Sequence, residues 1–197
     1  MSVVLMPAGK THDKITLWLT PLIIGGGFWI TRNDRLTLLM AIAFGFSGLM
    51  FGPDLDIHSC QYQRWGWLRW IWLPYRKLMR HRSPFSHGFL IGTMLRLLYV
   101  AMFGLAIALV GVGGLWLWHR GQMTLPTQTM DWAWLRAWGQ KYQGELLVSF
   151  IGLELGAMSH SVSDWTGSWL KKRRGKRRSS QKNKSSEKQT KHNSQRR

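Results

Sequence analysis

The chain has 197 residues and a formal net charge of +18, with 27 Lys and Arg residues against nine Asp and Glu. Its single cysteine excludes an intrachain disulfide, and its length favours one domain with a sizeable core. Residues 171–197 carry 13 of the basic residues and one of the acids. We therefore predict an apolar body at 1–170 and a basic tail at 171–197. The tail has too few apolar side chains to bury and is expected to be disordered.

Four apolar stretches follow one another along the body, at residues 15–30, 36–53, 89–118 and 145–160. A helix of about 20 apolar residues crosses roughly 30 Å of hydrocarbon, and these stretches approach or exceed that length. The first is expected to be a retained helix, because no A-x-A cleavage site follows it. We predict an all-α, polytopic membrane bundle of about four transmembrane helices. The alternative is a soluble all-α protein with very apolar core helices.

Basic residues are distributed unevenly between the predicted loops. Four crossings place the N-terminus, segment 53–88 and the tail on one side of the membrane, with 21 Lys and Arg residues against five on the other side. The positive-inside rule assigns the more basic side to the cytoplasm. We therefore predict a protein of the inner or plasma membrane with both termini in the cytoplasm.

Segment 61–80 combines Trp with Arg and is typical of an interfacial element. Trp65, Leu68 and Trp72 recur at helical spacing, which predicts a short helix on the cytoplasmic leaflet, broken by Pro74. An amphipathic helix that packs on the bundle is an equally favoured alternative. The basic side chains of this segment and of the tail suit anionic lipid headgroups, and for the tail we favour lipid over nucleic acid. A similar shallow element is expected on the far side, from Trp132, Trp134 and Trp138.

Side chains that commonly bind metal ions lie at four helix ends. His12 and Asp13 precede the first helix, Asp54, Asp56 and His58 follow the second, His81 and His87 precede the third, and His160 and Asp164 close the fourth. In the predicted topology all four clusters are cytoplasmic. The topology came from Lys and Arg alone, so the convergence is an independent indication of a site.

The local spacing within these clusters suits a metal ion. His160 and Asp164 are four residues apart, which places them on one helical face, and Asp54 and Asp56 alternate in a turn that we expect to be extended. Carboxylates gathered without a cation would raise one another's pKa. Imidazole with carboxylate suits Zn, Mn or Fe better than Ca. The alternative for any single residue is a helix cap or a solvated loop position, as Asp13 in a first turn illustrates.

Two charges lie inside the apolar stretches. Glu154 is about 9 Å along the helix from His160, and Arg96 lies about 13 Å beyond His87, at the standard helical rise. Because unpaired charges are costly within a membrane, we predict a buried Arg96–Glu154 pair.

The ordered motifs resemble a known family. The segments GKTHD, PDLDI, QRWG-x-LRWIW-x-PY, HRS-x-x-SHG and SH-x-x-x-D, within residues 7–170, are similar to those of the membrane-bound metal-dependent hydrolase-like family and in particular to a branch of uncharacterised metal-binding membrane proteins. Asp13 and His58 are not constant features of that wider pattern, so they are expected near the metal rather than on it. The resemblance implies these metal ligands: His12, Asp54, Asp56, His81, His87, His160 and Asp164.

The resemblance and the site together predict a metal-dependent hydrolase at the cytoplasmic membrane face, acting on a phosphoester or a lipid-linked substrate. The ligands suit one divalent ion, or two ions about 3.5–4 Å apart. Arg82 is suited to hold a phosphate through two hydrogen bonds, or else a lipid headgroup. The alternative is a non-catalytic metal-binding protein, such as a sensor, store or assembly factor, because no serine in the motifs has the spacing of a catalytic triad. A transporter is disfavoured, since the helices show no inverted repeat.

Overall fold

The computed structural model describes residues 8–79, 83, 86, 88–119 and 132–194. Within those ranges the chain is helical with intervening turns and contains no β-strand, so the predicted all-α class is confirmed. The α-helices are α1 (Ala8–Thr31), α2 (Asp34–Leu49), α3 (Cys60–Gln63), α4 (Leu73–Leu78), α5 (Ile91–Trp118), α6 (Trp132–Lys141) and α7 (Gln143–Ser194). Two 3-10 helices add to them, Pro53–Asp56 and Gly66–Trp72.

Four helical segments are long and apolar enough to cross a membrane: Thr11–Thr31, Asp34–Asp56, Ile91–Trp118 and Gln143–Gly167. They coincide with the four predicted apolar stretches, which are thereby confirmed in length and composition. Their large apolar side chains are widely exposed, as in Trp18, Leu22 and Leu109. Exposed apolar surface of this extent needs a partner or a lipid environment to cover it.

The chain divides into two compact units, Met1–His160 and Ser161–Arg197. The first unit holds the helices up to the middle of α7, and the second holds the remainder of α7. The boundary after residue 170, which was inferred from charge, stays a prediction.

A tight turn joins α1 to α2. The Asn33 side chain caps α2 by accepting a hydrogen bond from the Leu36 amide at 3.1 Å, and the hydroxyls of Thr31 and Thr37 are 3.1 Å apart across the turn. At the other end of this hairpin, a Cβ on Gly48 would lie 2.5 Å from Thr16 Cγ2. The two helices therefore approach closely just where α1 begins and α2 ends.

α7 packs on α2 through two glycines spaced one turn apart. A Cβ on Gly152 would lie 2.4 Å from the Met40 carbonyl oxygen, and one on Gly156 would lie 2.4 Å from the Phe44 carbonyl oxygen. Small residues at i and i+4 allow helix backbones to come this close. The next turn of α7 after Gly156 carries His160, so this packing brings His160 beside the end of α2.

Segment 60–78 forms the main core of the first unit. Phe51, Leu55, Tyr62, Trp72 and Tyr75 make one buried cluster. Their rings meet edge to face, with centroids 5.6 Å apart for both Phe51–Trp72 and Trp72–Tyr75. Edge-to-face pairs add about 0.5–1.5 kcal/mol to the area that they bury. The core therefore fixes the turn that follows α2 against α3 and α4.

The single interfacial helix predicted at 61–80 is instead three short helical pieces. Pro74 stands in the first turn of α4, where its missing N–H leaves no hydrogen bond unmade, so it starts a helix. The packing alternative holds for Trp72 and Tyr75, which are buried, while Trp67 and Trp70 are exposed. Contact between these exposed side chains and lipid stays a prediction.

The helical backbone of α7 continues to Ser194, through most of the predicted tail. The expected disorder of residues 171–197 is therefore not confirmed. The physical reason is that Lys, Arg, Gln and Glu are good helix formers and that no proline occurs in this stretch. On the far side of the predicted membrane, α6 contains Trp132, Trp134 and Trp138, all exposed, and its location at a membrane surface stays a prediction.

Candidate metal centre

The first histidine of the site is presented by α1. His12 lies near the start of this helix and is 7% exposed. Its carbonyl oxygen accepts a hydrogen bond from Thr16 Oγ1 at 3.1 Å, and Thr16 is the residue that packs against Gly48 of α2. The contact between α1 and α2 therefore fixes the turn of helix on which His12 stands.

The turn after α2 supplies the carboxylates. The sequence predicts an extended turn here, but Pro53–Asp56 is a 3-10 helix. It begins at Pro53, and the buried side chain of Leu55 anchors it in the core. Ser59 caps α3 and donates a hydrogen bond to the Asp54 carbonyl oxygen at 2.7 Å. The proline and the anchored leucine favour the tighter conformation, in which the two aspartates no longer alternate across a strand.

The structure brings His160 to both of the other elements. Its Nε2 lies 3.0 Å from Asp54 Oδ2. Its ring centroid lies 4.0 Å from that of His12, with 32° between the ring planes. One ring nitrogen of His12 and one of His160 lie within 4.8 Å of each other. Residues from α1, the turn after α2, and α7 therefore meet at one end of the bundle.

This arrangement fits a divalent transition metal. Zinc binds histidine nitrogen at about 2.0–2.1 Å and carboxylate oxygen at a similar distance, so ligands of one ion stand about 3–3.5 Å apart. The ring nitrogens of His12 and His160, within 4.8 Å of each other, and the 3.0 Å contact between His160 and Asp54 come close to this spacing. Nitrogen with oxygen donors suits Zn, Mn or Fe.

Asp56 is buried and faces a different partner. Its Oδ2 accepts a hydrogen bond from Ser86 Oγ at 2.5 Å, and the same hydroxyl lies 3.2 Å from the Pro53 carbonyl oxygen. Asp54 and Asp56, two residues apart, therefore have different environments. Asp54 meets His160, whereas Asp56 meets the segment that leads into α5.

Three of the predicted residues, His81, Arg82 and His87, lie outside the described residues. Asp164 lies on α7, four residues after His160, in the second unit. Its predicted role as a ligand stays a prediction.

Asp13 and His58 were predicted beside the metal. Asp13 is held by Arg64, whose Nη1 donates to Oδ1 at 2.9 Å and whose Nη2 also contacts Oδ2. The same guanidinium donates to the Leu49 carbonyl oxygen at 2.8 Å, so it ties the start of α1 to the end of α2. His58 is exposed and packs edge to face on Tyr62.

Electrostatic attraction stabilises the contact between Arg64 and Asp13. The hydrogen bonds with Asp13 raise the pKa of Arg64, although partial burial opposes the rise. Burial likewise raises the pKa of Tyr75 in the core cluster. Both groups therefore keep their protonated forms at neutral pH.

Arg96 and Glu154 are both buried, as predicted, but their closest hydrogen bonds in the described structure are to other groups. Arg96 Nη1 donates to the Ser86 carbonyl oxygen at 3.2 Å and Nη2 to Thr93 Oγ1 at 2.9 Å. Glu154 Oε1 accepts from the Leu90 amide at 3.0 Å, at the start of α5. The carboxylate still attracts the guanidinium charge electrostatically. No direct ion pair between them is seen among the residues that the structure describes.

Two features of the site were not identified from the sequence. One is Ser86, a serine of the HRS-x-x-SHG motif whose contact with Asp56 has no local sequence signal. The other is the glycine pair of α7, whose G-x-x-x-G spacing (Gly152 and Gly156) is a helix-packing signal that the sequence does carry.

Comparison with known proteins places these residues in a family. A 64-residue segment is 38% identical to an uncharacterized protein of Aquifex aeolicus (strain VF5), covering 30% of this chain and 45% of that protein. The chain thus matches less than half the length of this relative. No solved structure matches the chain. The family model of the uncharacterized metal-binding proteins designated DUF2227 matches residues 7–174, which include every residue of the site described above, and the chain belongs to that family.

Proposed function

We propose that the protein is an integral membrane metalloenzyme that hydrolyses a phosphoester, of a lipid or lipid-linked substrate, at the cytoplasmic face. The observation that carries the proposal is the meeting of His12, His160 and Asp54 at one end of a bundle of apolar helices. His12 and His160 would donate ring nitrogens and Asp54 a carboxylate oxygen. Asp56, Asp164, His81 and His87 are proposed to complete the ligand set for one ion or two.

A divalent ion held by these residues would supply Lewis acidity, polarising a phosphoryl oxygen and making a nearby water molecule more acidic. The residues of the chain supply the rest. The buried imidazoles of His12 and His160 exclude water from one side of the site. Arg82 is proposed to hold the substrate phosphate through its two-pronged guanidinium.

The membrane location is supported by the exposed apolar helices and by the distribution of charge. The more basic side of the predicted topology is the side on which the site lies. Trp67 and Trp70 are exposed on segment 60–78, beside the exposed basic Arg69. This combination suits the headgroup region of an anionic leaflet, and we propose that it holds the site at the level of lipid phosphates.

A specific observation favours a second function, non-catalytic metal binding as a sensor, store or assembly factor. His12 is 7% exposed and His160 is 3% exposed. Structural metal sites are closed, whereas catalytic sites keep one position open to water or substrate. If the full ligand set surrounds one ion, no position remains for a phosphoester.

The test uses the full chain purified in detergent, with metal content measured by mass spectrometry. We expect bound Zn, Mn or Fe in the wild type and a large loss in Asp54→Asn and in His160→Ala. His119→Ala, which removes an exposed imidazole at the end of α5, serves as the matched control and should keep its metal. Unchanged metal content in both site variants would refute the centre.

A second measurement separates the two functions. Aryl phosphomonoesters, aryl phosphodiesters and phosphatidic acid in mixed micelles are offered to the loaded protein, with and without a chelator. Chelator-sensitive hydrolysis that Asp54→Asn abolishes supports the hydrolase. Bound metal without hydrolysis of any of these substrates supports the non-catalytic alternative.

A further inference from the structure

Ser86 contacts Asp56, one of the ligands proposed for the metal centre. It is 1% exposed, and its hydroxyl contacts Asp56 Oδ2 at 2.5 Å and the Pro53 carbonyl oxygen at 3.2 Å. A serine hydroxyl has one proton to donate, and the shorter contact is to the charged acceptor. Hydrogen bonds to a carboxylate are short and about twice as strong as bonds between neutral groups. Ser86 therefore fixes the rotation of the Asp56 carboxylate and the direction in which Oδ1 points.

Ser86 is itself held by α5. Arg96 Nη1 donates to the Ser86 carbonyl oxygen at 3.2 Å, and Nη2 is fixed by Thr93 Oγ1 at 2.9 Å. A Cβ on Gly92 would lie 2.7 Å from that same carbonyl oxygen, so only glycine lets the backbone at Ser86 come this close to the helix. The first turns of α5 thus hold Ser86 in place through Gly92, Thr93 and Arg96.

Arg96 is unusual because it is a charged side chain in a buried position. The side chain is 1% exposed, and removing an arginine from water is costly unless nearby groups compensate. Asp56 and Glu154 both attract the guanidinium electrostatically. Through the hydrogen bond from Nη1, this buried cation holds the backbone of Ser86, whose hydroxyl contacts Asp56.

We propose that Ser86 is a positioning residue for the metal centre, which orients the Asp56 carboxylate toward the ion, and that Arg96 holds Ser86 in place. The inference rests on the proposed metal centre and deepens it. Groups that orient a ligating carboxylate typically change metal affinity by about 10–100-fold when they are removed.

The experiment measures the affinity of the full-length protein in detergent for Zn²⁺ and Mn²⁺, by competition with a fluorescent chelator. Ser86→Ala is compared with Ser47→Ala, an equally buried serine on α2 whose hydroxyl has no hydrogen-bond partner in the described structure. We expect affinity to fall about 10–100-fold in Ser86→Ala and to stay within about twofold in Ser47→Ala. Ser86→Cys, which keeps the size of the side chain with a weaker donor, should lie between them and serves if Ser86→Ala folds poorly.

A double-mutant cycle separates positioning from general stability. If Ser86 acts through Asp56, then Ser86→Ala should cost little further affinity in an Asp56→Asn background. Full additivity of the two losses would overturn the proposal, as would a Ser86→Ala protein that binds metal like Ser47→Ala. If Ser86→Ala gives either of these results while Asp54→Asn loses metal, the metal centre is supported and only the positioning role of Ser86 is refuted. A wild type that binds neither ion overturns both.

Discussion

The packing of α7 on α2 gives a quantitative prediction for Gly156→Ala. The new Cβ would lie 2.4 Å from the Phe44 carbonyl oxygen, 2.8 Å from the Gly48 amide nitrogen and 2.8 Å from Ser47 Cβ. Carbon atoms rest at about 3.5–4.0 Å from their neighbours, so α7 must retreat from α2 by about 1 Å. Two of these atoms belong to helical backbone and have little freedom to move. Overpacking of this kind costs about 1–3 kcal/mol.

The same retreat should weaken the proposed metal centre. His160 stands one turn after Gly156, and its Nε2 lies 3.0 Å from Asp54 Oδ2. Metal–ligand distances tolerate deviations of only about 0.2 Å. A displacement of His160 by about 1 Å therefore either strains the protein in the metal-bound state or lengthens the bond to the metal, and both weaken metal binding. We expect Gly156→Ala to bind Zn²⁺ or Mn²⁺ at least about tenfold more weakly, since about 1.4 kcal/mol corresponds to a factor of ten.

The assay compares Gly156→Ala with Gly45→Ala in thermal unfolding of the metal-free protein and in metal titration. Gly45 lies on α2, and a Cβ added there would have nothing within 4 Å, so its substitution gains about 1 kcal/mol of helix propensity without a clash. The difference between the two variants isolates the packing cost. Equal unfolding midpoints and equal affinities would show that α7 does not depend on this close contact.

Three further predictions concern the fold around the site. Trp72→Ala, which removes a fully buried ring, should cost about 3–5 kcal/mol in unfolding free energy, whereas Trp67→Ala, at a 79% exposed position, should cost little in detergent. Arg64→Ala should lower the free energy of unfolding by about 1–2 kcal/mol, because the partly exposed ion pair with Asp13 and the hydrogen bond to the Leu49 carbonyl oxygen are lost. It should also weaken metal binding, because His12 is next to Asp13 in the chain. Deleting residues 171–197 should leave metal content unchanged, because the ligands of the first unit do not include the tail.

Each of these predictions has a measurement that can contradict it. Chemical unfolding in detergent that shows similar losses for Trp72→Ala and Trp67→Ala would mean that the aromatic cluster is not the stabilising core. If Arg64→Ala binds metal as tightly as the wild type does, the Arg64–Asp13 contact does not position His12. A truncated protein that loses its metal would place tail residues in or near the centre.

The sequence indicates candidate site residues because their signals are local. Helix-length apolar stretches, and ligand residues at their ends, are visible without tertiary information, and the structure joins His12, Asp54 and His160 at one place. The Asp54–His160 contact spans the greater part of the first unit, and the sequence indicates it only through the position of both residues at the ends of apolar stretches.

The structure adds most where distant residues decide a local conformation or contact. The 3-10 helix at Pro53–Asp56 depends on Leu55 entering a core made by residues of segment 60–78, and no local pattern records that. Asp13 stays a candidate near the metal, and its contact with Arg64, 51 positions away, has no local sequence signal. Arg96 was paired with Glu154 by depth alone, and the backbone of Ser86 proved to be its nearer partner.

The glycine contact between α7 and α2 also has a consequence for the order of biosynthesis. His12 emerges from the ribosome near the start of the chain, and its partner His160 emerges only after the other three apolar helices are complete. The two imidazoles meet where α7 packs closely on α2 through Gly152 and Gly156. A cation that needs both rings therefore cannot be captured before α7 has been made and has packed on α2, and its retention would mark a protein in which this packing is complete.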